Sequence, residues 1–556
     1  MKSKLLLFLL IFSFETIFAQ EDAWVYFKDK PSKETFLSNP STMLTERSLE
    51  RRTRYNIPLD EFDVPVEANY ISTITNANGI TVKAKSKWLN AVHVQGAKTA
   101  IENLLTIQFE GNTIVSSIEF ADKTIGVISG KSSIINQENK SEDKLKVTTD
   151  FNYGRAANQT QMIKVDVLHQ NNFTGEGMVI AVLDAGFPNV NTFSAFNYIR
   201  TNTGNSQILG GYNYVGRSEE FYTGSTHGTS VLSTIAGYVY SDDGDATNDF
   251  IGTAPDAQFY LYITEDSANE VPLEESLWVE AAEEADRLGV DVITTSLGYS
   301  SFFDESRYNY SYSAMDGKTT FITRGAEIAF TRGMILINSA GNEGTDPWHY
   351  MNAPADGPSV LSIGAVNASG VIASFSSYGP TYDGRVKPDV CAQGSSVYII
   401  NSLGNIGTSN GTSFSGPLMA GAVACLWQAF PQKTNAEITQ MVRESAHLFN
   451  NPTAQEGYGI PNFETIYNTL SVDEVIENTN EFKIYPNPTK GEVYFSQSID
   501  LENADVRVFS TLGKLMYSTV ISSSKPTVDL SFLPKGLYFI QLKQNLQVFT
   551  QKIIKE

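Results

Sequence analysis

Cysteine, histidine and positive charge are all scarce in this chain, and each scarcity removes a class of function. There are two cysteines in 556 residues, Cys391 in Asp389-Val390-Cys391-Ala392 and Cys425 inside an apolar stretch. Both read as small buried hydrophobes rather than nucleophiles or metal ligands. The sequence leaves open whether the two pair. With 62 acidic against 40 basic residues and a formal net charge of −22, the chain is a poor match for nucleic acid. Long apolar runs are missing beyond the N-terminus, so no transmembrane span is expected. The one early run, Leu5 to Phe12 behind Lys2 and Lys4, is too short to span and breaks near Ala19-Gln20. That is the pattern of an export signal over residues 1–19. No metal site is read either. Asp242, Asp243, Asp245 and Asp249 share a loop, but Thr253 stands where a calcium loop places its glutamate.

Scarcity of histidine also shortens the search for a catalytic base. Among five histidines only His227 lies between small residues ahead of an apolar helical pattern, in Gly224-Ser225-Thr226-His227-Gly228-Thr229-Ser230. His93 falls in a strand-like segment, His169 and His447 in helical ones and His349 in a loop, and all four read as structural. A nucleophile candidate is Ser413, held in Asn410-Gly411-Thr412-Ser413-Phe414-Ser415-Gly416-Pro417 at the head of a buried helix, with Pro417 expected in its first turn. A serine there profits from the unpaired N–H groups and dipole of the helix N-terminus. Its hydroxyl needs a base, and the base needs a carboxylate to hold its tautomer. Asp184 fits, because it ends the apolar strand pattern Met178-Val179-Ile180-Ala181-Val182-Leu183, and open α/β sheets place function at strand carboxyl ends.

The order Asp184, His227, Ser413 resembles the subtilisin-like serine peptidases. The likeness extends to Gly252-Thr253-Ala254-Pro255-Asp256-Ala257 and Lys387-Pro388-Asp389-Val390 and covers roughly residues 150–470. It implies an α/β fold, a three-layer α/β/α domain with a parallel sheet. It implies a secreted endopeptidase acting on protein or peptide substrates through an acyl-enzyme. It gives Asn342, in Ser339-Ala340-Gly341-Asn342-Glu343, the oxyanion donor's role. Ser296, Leu297 and Gly298 match the edge on which such enzymes hold an extended substrate, and Ser339, Ala340 and Gly341 the facing wall of the specificity pocket, with Glu343 at its mouth. Two positions depart from the family: residue 185 is alanine where threonine or serine is usual, and residue 230 is serine where many members have histidine. Cofactors are not expected, although many subtilases bind structural calcium. The alternative from another class is a peptide-binding surface protein on an inactive subtilase scaffold.

Residues 20–149 resemble a subtilase propeptide of α+β type, with 140–146 as boundary. The stretch Arg47-Ser48-Leu49-Glu50-Arg51-Arg52-Thr53-Arg54 reads as a solvated helix face. After a linker at 471–480, residues 481–556 alternate as short strands, a small β-sandwich. Tyr485-Pro486-Asn487-Pro488, Gly513-Lys514-Leu515, Leu533-Pro534-Lys535-Gly536-Leu537-Tyr538 and Lys552-Ile553-Ile554-Lys555 resemble the C-terminal sorting domains of the type IX secretion system. The resemblance implies the type IX secretion machinery as partner and a released or cell-surface location. A generic adhesive sandwich is the plainer reading of such strands.

Overall fold

The computed structural model describes residues 20–125, 127–128, 151–201, 206–240, 248–477, 483–495, 501, 504–510, 514–544 and 547–556. The export signal, the 140–146 boundary, Asp242, Asp243, Asp245 and Gly513 lie outside the described residues. Two compact units divide between Glu464 and Thr465.

The first unit is organised by a seven-stranded sheet. Its order is Val390–Gln393, Leu361–Val366, Ile335–Ser339, Val292–Thr295, Val179–Asp184, Gln258–Ile263 and Ile208–Asn213, with every pairing parallel. Such strands are buried on both faces, which is why Val179–Asp184 reads as a continuous apolar run rather than an alternation. Val179, Ala181 and Leu183 pack with Leu277, Trp278 and Ala281 of the helix Leu273–Leu288. Ile180 and Val182 point the other way and are equally inaccessible. The helix Thr412–Ala429 packs on five of the strands and on the helix His227–Ala236. A side chain at Gly421 would collide with Thr253, so the glycine permits that close approach.

Preceding this layer is a five-stranded antiparallel sheet ordered Ile80–Ser86, Ala91–Ala97, Gln20–Phe27, Val115–Phe120 and Val127–Ile128. Along its central strand the alternation divides the labour. Ala23, Val25 and Phe27 pack with Tyr70, Ile74 and Ile101 of its own two helices. Trp24 faces the peptidase-like part, stacks on Phe321 at 4.8 Å and donates from Nε1 to Ser276 Oγ at 2.8 Å.

The basic stretch near residue 50 departs from expectation. It is a helix, Glu46–Arg54, but Arg51 and Arg52 are buried rather than solvated. Arg51 pairs with Asp286 at 2.6 Å, and Arg52 bridges Asp63 and Asp286 at 2.8 Å each. Arg51 also donates to the Val290 carbonyl. Buried guanidinium groups survive only when paired and hydrogen-bonded, and the partner acid lies more than two hundred residues away.

The second unit is a β-sandwich. Three antiparallel strands (Ile484–Tyr485, Glu492–Phe495, Thr527–Asp529) and four (Leu515–Ile521, Ala504–Ser510, Gly536–Gln544, Gln547–Lys555) share a core containing Val493, Val506, Val508, Leu530 and Ile540. Its sequence motifs meet there. Asn487 accepts from Ile554 N–H and donates to the Lys552 carbonyl, while Tyr538 Oη donates to the Pro534 carbonyl. The expected linker is helical over its first seven residues, because the helix Phe463–Glu477 continues past 470, and 478–480 lie outside the described residues.

Candidate active site

Asp184 is the last residue of its strand, held in register opposite Ile263, and its carbonyl accepts from Thr264 N–H at 3.1 Å. Its side chain is fully buried. Oδ1 accepts from the Ala185 N–H and from His227 Nδ1, both at 2.8 Å. Oδ2 has no hydrogen-bond partner among the described residues. The alanine at 185 brings no hydroxyl to it.

His227 is the first residue of its helix. Gly228 lets that helix start against the strand end, since a β-carbon there would sit 2.9 Å from Asp184 Cβ and strike the Gly186 carbonyl. Asp184 pushes the imidazole up to about 9, against the opposing effect of burial. Burial pushes the neighbouring Glu265 carboxyl up to about 7, and the charge of Asp184 adds to this. Glu265 is thus raised towards neutrality beside the His227–Asp184 pair.

The helix carrying Ser413 begins at Thr412, after Gly411. Ser413 is therefore in the first turn, and Pro417 is one turn further on than its expected place. Proline has no N–H to give to the residue four back, so the Ser413 carbonyl loses its helical donor. Ser296 Oγ supplies one at 2.9 Å. This is the structural job of Ser296, and it ties the 296–298 segment to the backbone of Ser413. Ser413 keeps 8% exposure, and its neighbour Phe414 lies 6.0 Å from the His227 ring. No hydrogen bond joins Ser413 Oγ to His227 among the described residues. Such bonds are often long in unliganded sites and tighten when substrate excludes water.

Asn342 stands in the open cleft with its amide oriented by the helix start. Its Oδ1 accepts from Thr412 N–H at 2.9 Å and from Thr412 Oγ1 at 3.1 Å. With oxygen fixed this way, Nδ2 is the free face of the amide. Thr412 also receives Gly341 N–H on its hydroxyl at 3.2 Å. The sequence reading passed over Thr412, whose place beside a serine gives no separate signal.

The two strips read as substrate walls are joined by Asn338, whose Nδ2 donates to the Leu297 carbonyl at 3.1 Å. Ser339 ends its strand, Ala340 N–H donates to the Ile363 carbonyl at 3.0 Å, and Gly298 abuts Asn352. Glu343 Oε2 accepts from Asn352 Nδ2 at 3.0 Å and from Ser377 Oγ at 2.8 Å. The other histidines have structural partners. His169, held by Tyr153 Oη and the Thr253 carbonyl, is lowered to about 4 by burial. His93 sits between Asp22 and Ser276, His447 accepts from Ile460 N–H, and His349 stacks on Tyr378. Cys391 and Cys425 are both buried, and no disulfide joins them. Among the described residues no group of three or more acidic, histidine or cysteine side chains is arranged to hold a metal, and no helix is long and apolar enough to cross a membrane. Asp249, the described member of the acidic loop, accepts from Asn152 Nδ2 at 2.9 Å.

With this geometry in place, comparison with known proteins is decisive. Residues 175–460, just over half of the chain, match the subtilase family, Peptidase S8. The chain belongs to the subtilase family. Residues 22–141 match the Peptidase S8 propeptide domain of Bacteroidota, and residues 483–556 the secretion system C-terminal sorting domain, which marks the chain for the cell surface or the extracellular space. Subtilisin NAT of Bacillus subtilis subsp. natto is 30% identical over 294 residues, 52% of this chain and 65% of that protein. This subtilase thus spans just under two thirds of that relative. Subtilisin of Bacillus pumilus is 30% identical over 51% of this chain and 89% of its own length. A crystal structure of MycP1 with the N-terminal propeptide removed aligns with a TM-score of 0.42 and 21% identity, over 56% of this chain and 96% of that one.

Proposed function

We propose that this subtilase is an exported serine endopeptidase that cuts protein substrates through an acyl-enzyme. The observation that carries the reading is the 2.8 Å bond from His227 Nδ1 to the buried Asp184, which fixes the tautomer and leaves Nε2 as the basic nitrogen. Nε2 takes the Ser413 proton as Oγ attacks the scissile carbonyl, then returns it to the leaving amine. Water hydrolyses the ester by the same route in reverse. Charge on the tetrahedral oxygen is met by Asn342 Nδ2 and by the backbone N–H of Ser413 at the helix start. Preorganised donors of this kind contribute roughly 3–4 kcal/mol each. Substrate pairs as an extended strand with residues 296–298 and 339–341.

In this reading residues 1–19 direct export, 20–149 form the propeptide, 150–470 the peptidase, 471–480 a connection and 481–556 the tail read by the type IX secretion machinery. The test is casein hydrolysis by the processed protein beside Ser413→Ala, with a serine-directed fluorophosphonate in parallel. Cleavage and labelling in the parent alone support the reading. A folded, processed parent that neither cuts nor labels returns the protein to the peptide-binding alternative.

A further inference from the structure

The outward face of the tail's four-stranded sheet is apolar at one end and polar at the other. Val506, Val508, Ile540 and Leu542 fill the sandwich core, so their neighbours along each strand point outwards. At one end of that face the register sets Phe509 beside both Leu515 and Phe539, and Leu537 beside Ile554. Leu515, Leu537, Phe539 and Ile554 are 37–49% exposed, and Phe509 is half-buried. The other end carries Asp505, Arg507, Ser518, Gln541 and Lys543, with Val520 as an exposed apolar exception. A sheet face turned to water is ordinarily polar, and a contiguous apolar patch on a small unit marks a contact.

The segments that resemble a sorting domain account for this end of the face. Gly513-Lys514-Leu515 supplies Leu515, the segment ending Gly536-Leu537-Tyr538 supplies Leu537, and Lys552-Ile553-Ile554-Lys555 supplies Ile554 and the exposed Lys552, which pairs in register with Phe539. The fourth segment, Tyr485-Pro486-Asn487-Pro488, holds the last of these in place. Asn487 accepts from the Ile554 N–H at 2.9 Å and donates to the Lys552 carbonyl at 2.7 Å. Tyr538 turns inwards and ties down the loop before Leu537 through its 3.0 Å bond to the Pro534 carbonyl. The inward members of these segments build the sandwich. The outward members add nothing to its core, yet they gather at one place.

We propose that this apolar end of the outward face is the surface through which the tail docks on the type IX secretion machinery, against a protein surface that is apolar at its centre and carries a carboxylate opposite Lys552. The proposal rests on the reading of residues 481–556 as a sorting tail. Burying these side chains excludes water from the centre of the contact, and the lysine sets its orientation. Lys552 makes no ion pair among the described residues, so its charge is available to a partner.

The test follows export of the full-length chain from a bacterium that has a type IX system, in a Ser413→Ala background so that self-cleavage does not redistribute it. The parent should reach the medium or the cell surface, and a chain lacking residues 481–556 should stay in the periplasm. Leu537→Thr combined with Phe539→Thr keeps strand-favouring side chains. It should lower the exported fraction by about ten-fold or more while leaving the thermal unfolding of the purified chain unchanged. Val520→Thr, at the other end of the same face, should export as the parent does, and Lys552→Glu should be retained. If the double variant misfolds, Ile554→Thr takes its place with the same expectation. A folded double variant that exports normally, or a Val520→Thr chain retained equally, overturns the docking face alone. Normal export of Lys552→Glu overturns the carboxylate opposite it. Export of the chain without residues 481–556 overturns the sorting reading and the face with it. A parent that dimerises in size-exclusion chromatography, through residues whose substitution leaves export unchanged, assigns the face to a second copy instead.

Discussion

Two fully buried aspartates, Asp184 in the cleft and Asp286 under the propeptide, meet the same cost of burying a charge in opposite ways. Asp286 is saturated: Arg51 lies 2.6 Å from Oδ1, Arg52 2.8 Å from Oδ2, and Lys87 3.9 Å from Oδ2. Burial raises its carboxyl, but Arg52, Lys87 and Arg51 more than offset this and hold it below the usual range. Asp184 has one histidine and one backbone N–H on a single oxygen and, among the described residues, no hydrogen-bond partner on the other. The difference separates structure from chemistry. The carboxylate that holds two segments together is surrounded by fixed cations, whereas on the proposed mechanism Asp184 directs its charge at the one group that will become charged.

The largest expected effect of breaking that contrast is at Asp184. Asp184→Asn keeps the shape but offers His227 the wrong partner, and kcat should fall about 10⁴-fold, roughly 5 kcal/mol of transition-state stabilisation. Burst and steady-state kinetics on one peptide substrate measure it, and a fall of less than ten-fold would remove Asp184 from the mechanism. Asp286→Ala should leave the chemistry intact and weaken the fold. Stranding Arg51 and Arg52 in the interior should cost about 3–5 kcal/mol, read from urea unfolding of the unprocessed chain in a Ser413→Ala background that prevents self-cleavage. If unfolding is unchanged, the pair is not sustaining the contact between propeptide and peptidase. Asn342→Ala comes next. It should lower kcat by about 10²–10³-fold with little change in KM, because the donor acts on charge present only in the transition state.

How much of this was legible beforehand follows the same division. The candidate catalytic residues stand in short glycine-rich motifs, and local sequence carries their type and, for Asp184, its place at the sheet's carboxyl edge. The parallel sheet was an expectation of the family resemblance, and the continuous apolar run Val179–Asp184 agrees with it. Arg51 and Arg52 were not, because a basic helix face is normally solvated and nothing near residue 50 announces an aspartate at 286. Ser296 was read as a substrate contact, while its hydroxyl answers a carbonyl orphaned by Pro417 more than a hundred residues later. Asn352 carried no signal at all. Its place against Gly298 and Gly341, beside the bridge between Tyr299 and Ala353, arises only in tertiary structure. The helix Phe463–Glu477 overran the expected linker because the polar stretch 471–477 contains no glycine or proline to end a helix.

The smallest change sharpens the comparison most, because it gives Asp184 a little of what Asp286 has. The negative charge of Asp184 favours the imidazolium, so His227 in the free enzyme keeps its proton to about pH 9. Only the neutral ring can accept the Ser413 proton, so kcat/KM should rise with pH through a midpoint near 9. Ala185→Ser places a hydroxyl donor beside the unpaired Oδ2. A hydrogen bond there spreads the carboxylate charge away from the histidine and weakens its hold on the proton. The midpoint should then move down by roughly half a unit to one unit, the shift expected from one bond of about 1 kcal/mol. The pH dependence of kcat/KM for the parent and Ala185→Ser measures it. A midpoint that moves upward would mean that the added hydroxyl displaces the histidine instead of sharing the carboxylate. An unmoved midpoint would mean that Oδ2 is already satisfied by solvent, and the contrast with Asp286 would then be one of partner type and not of pairing.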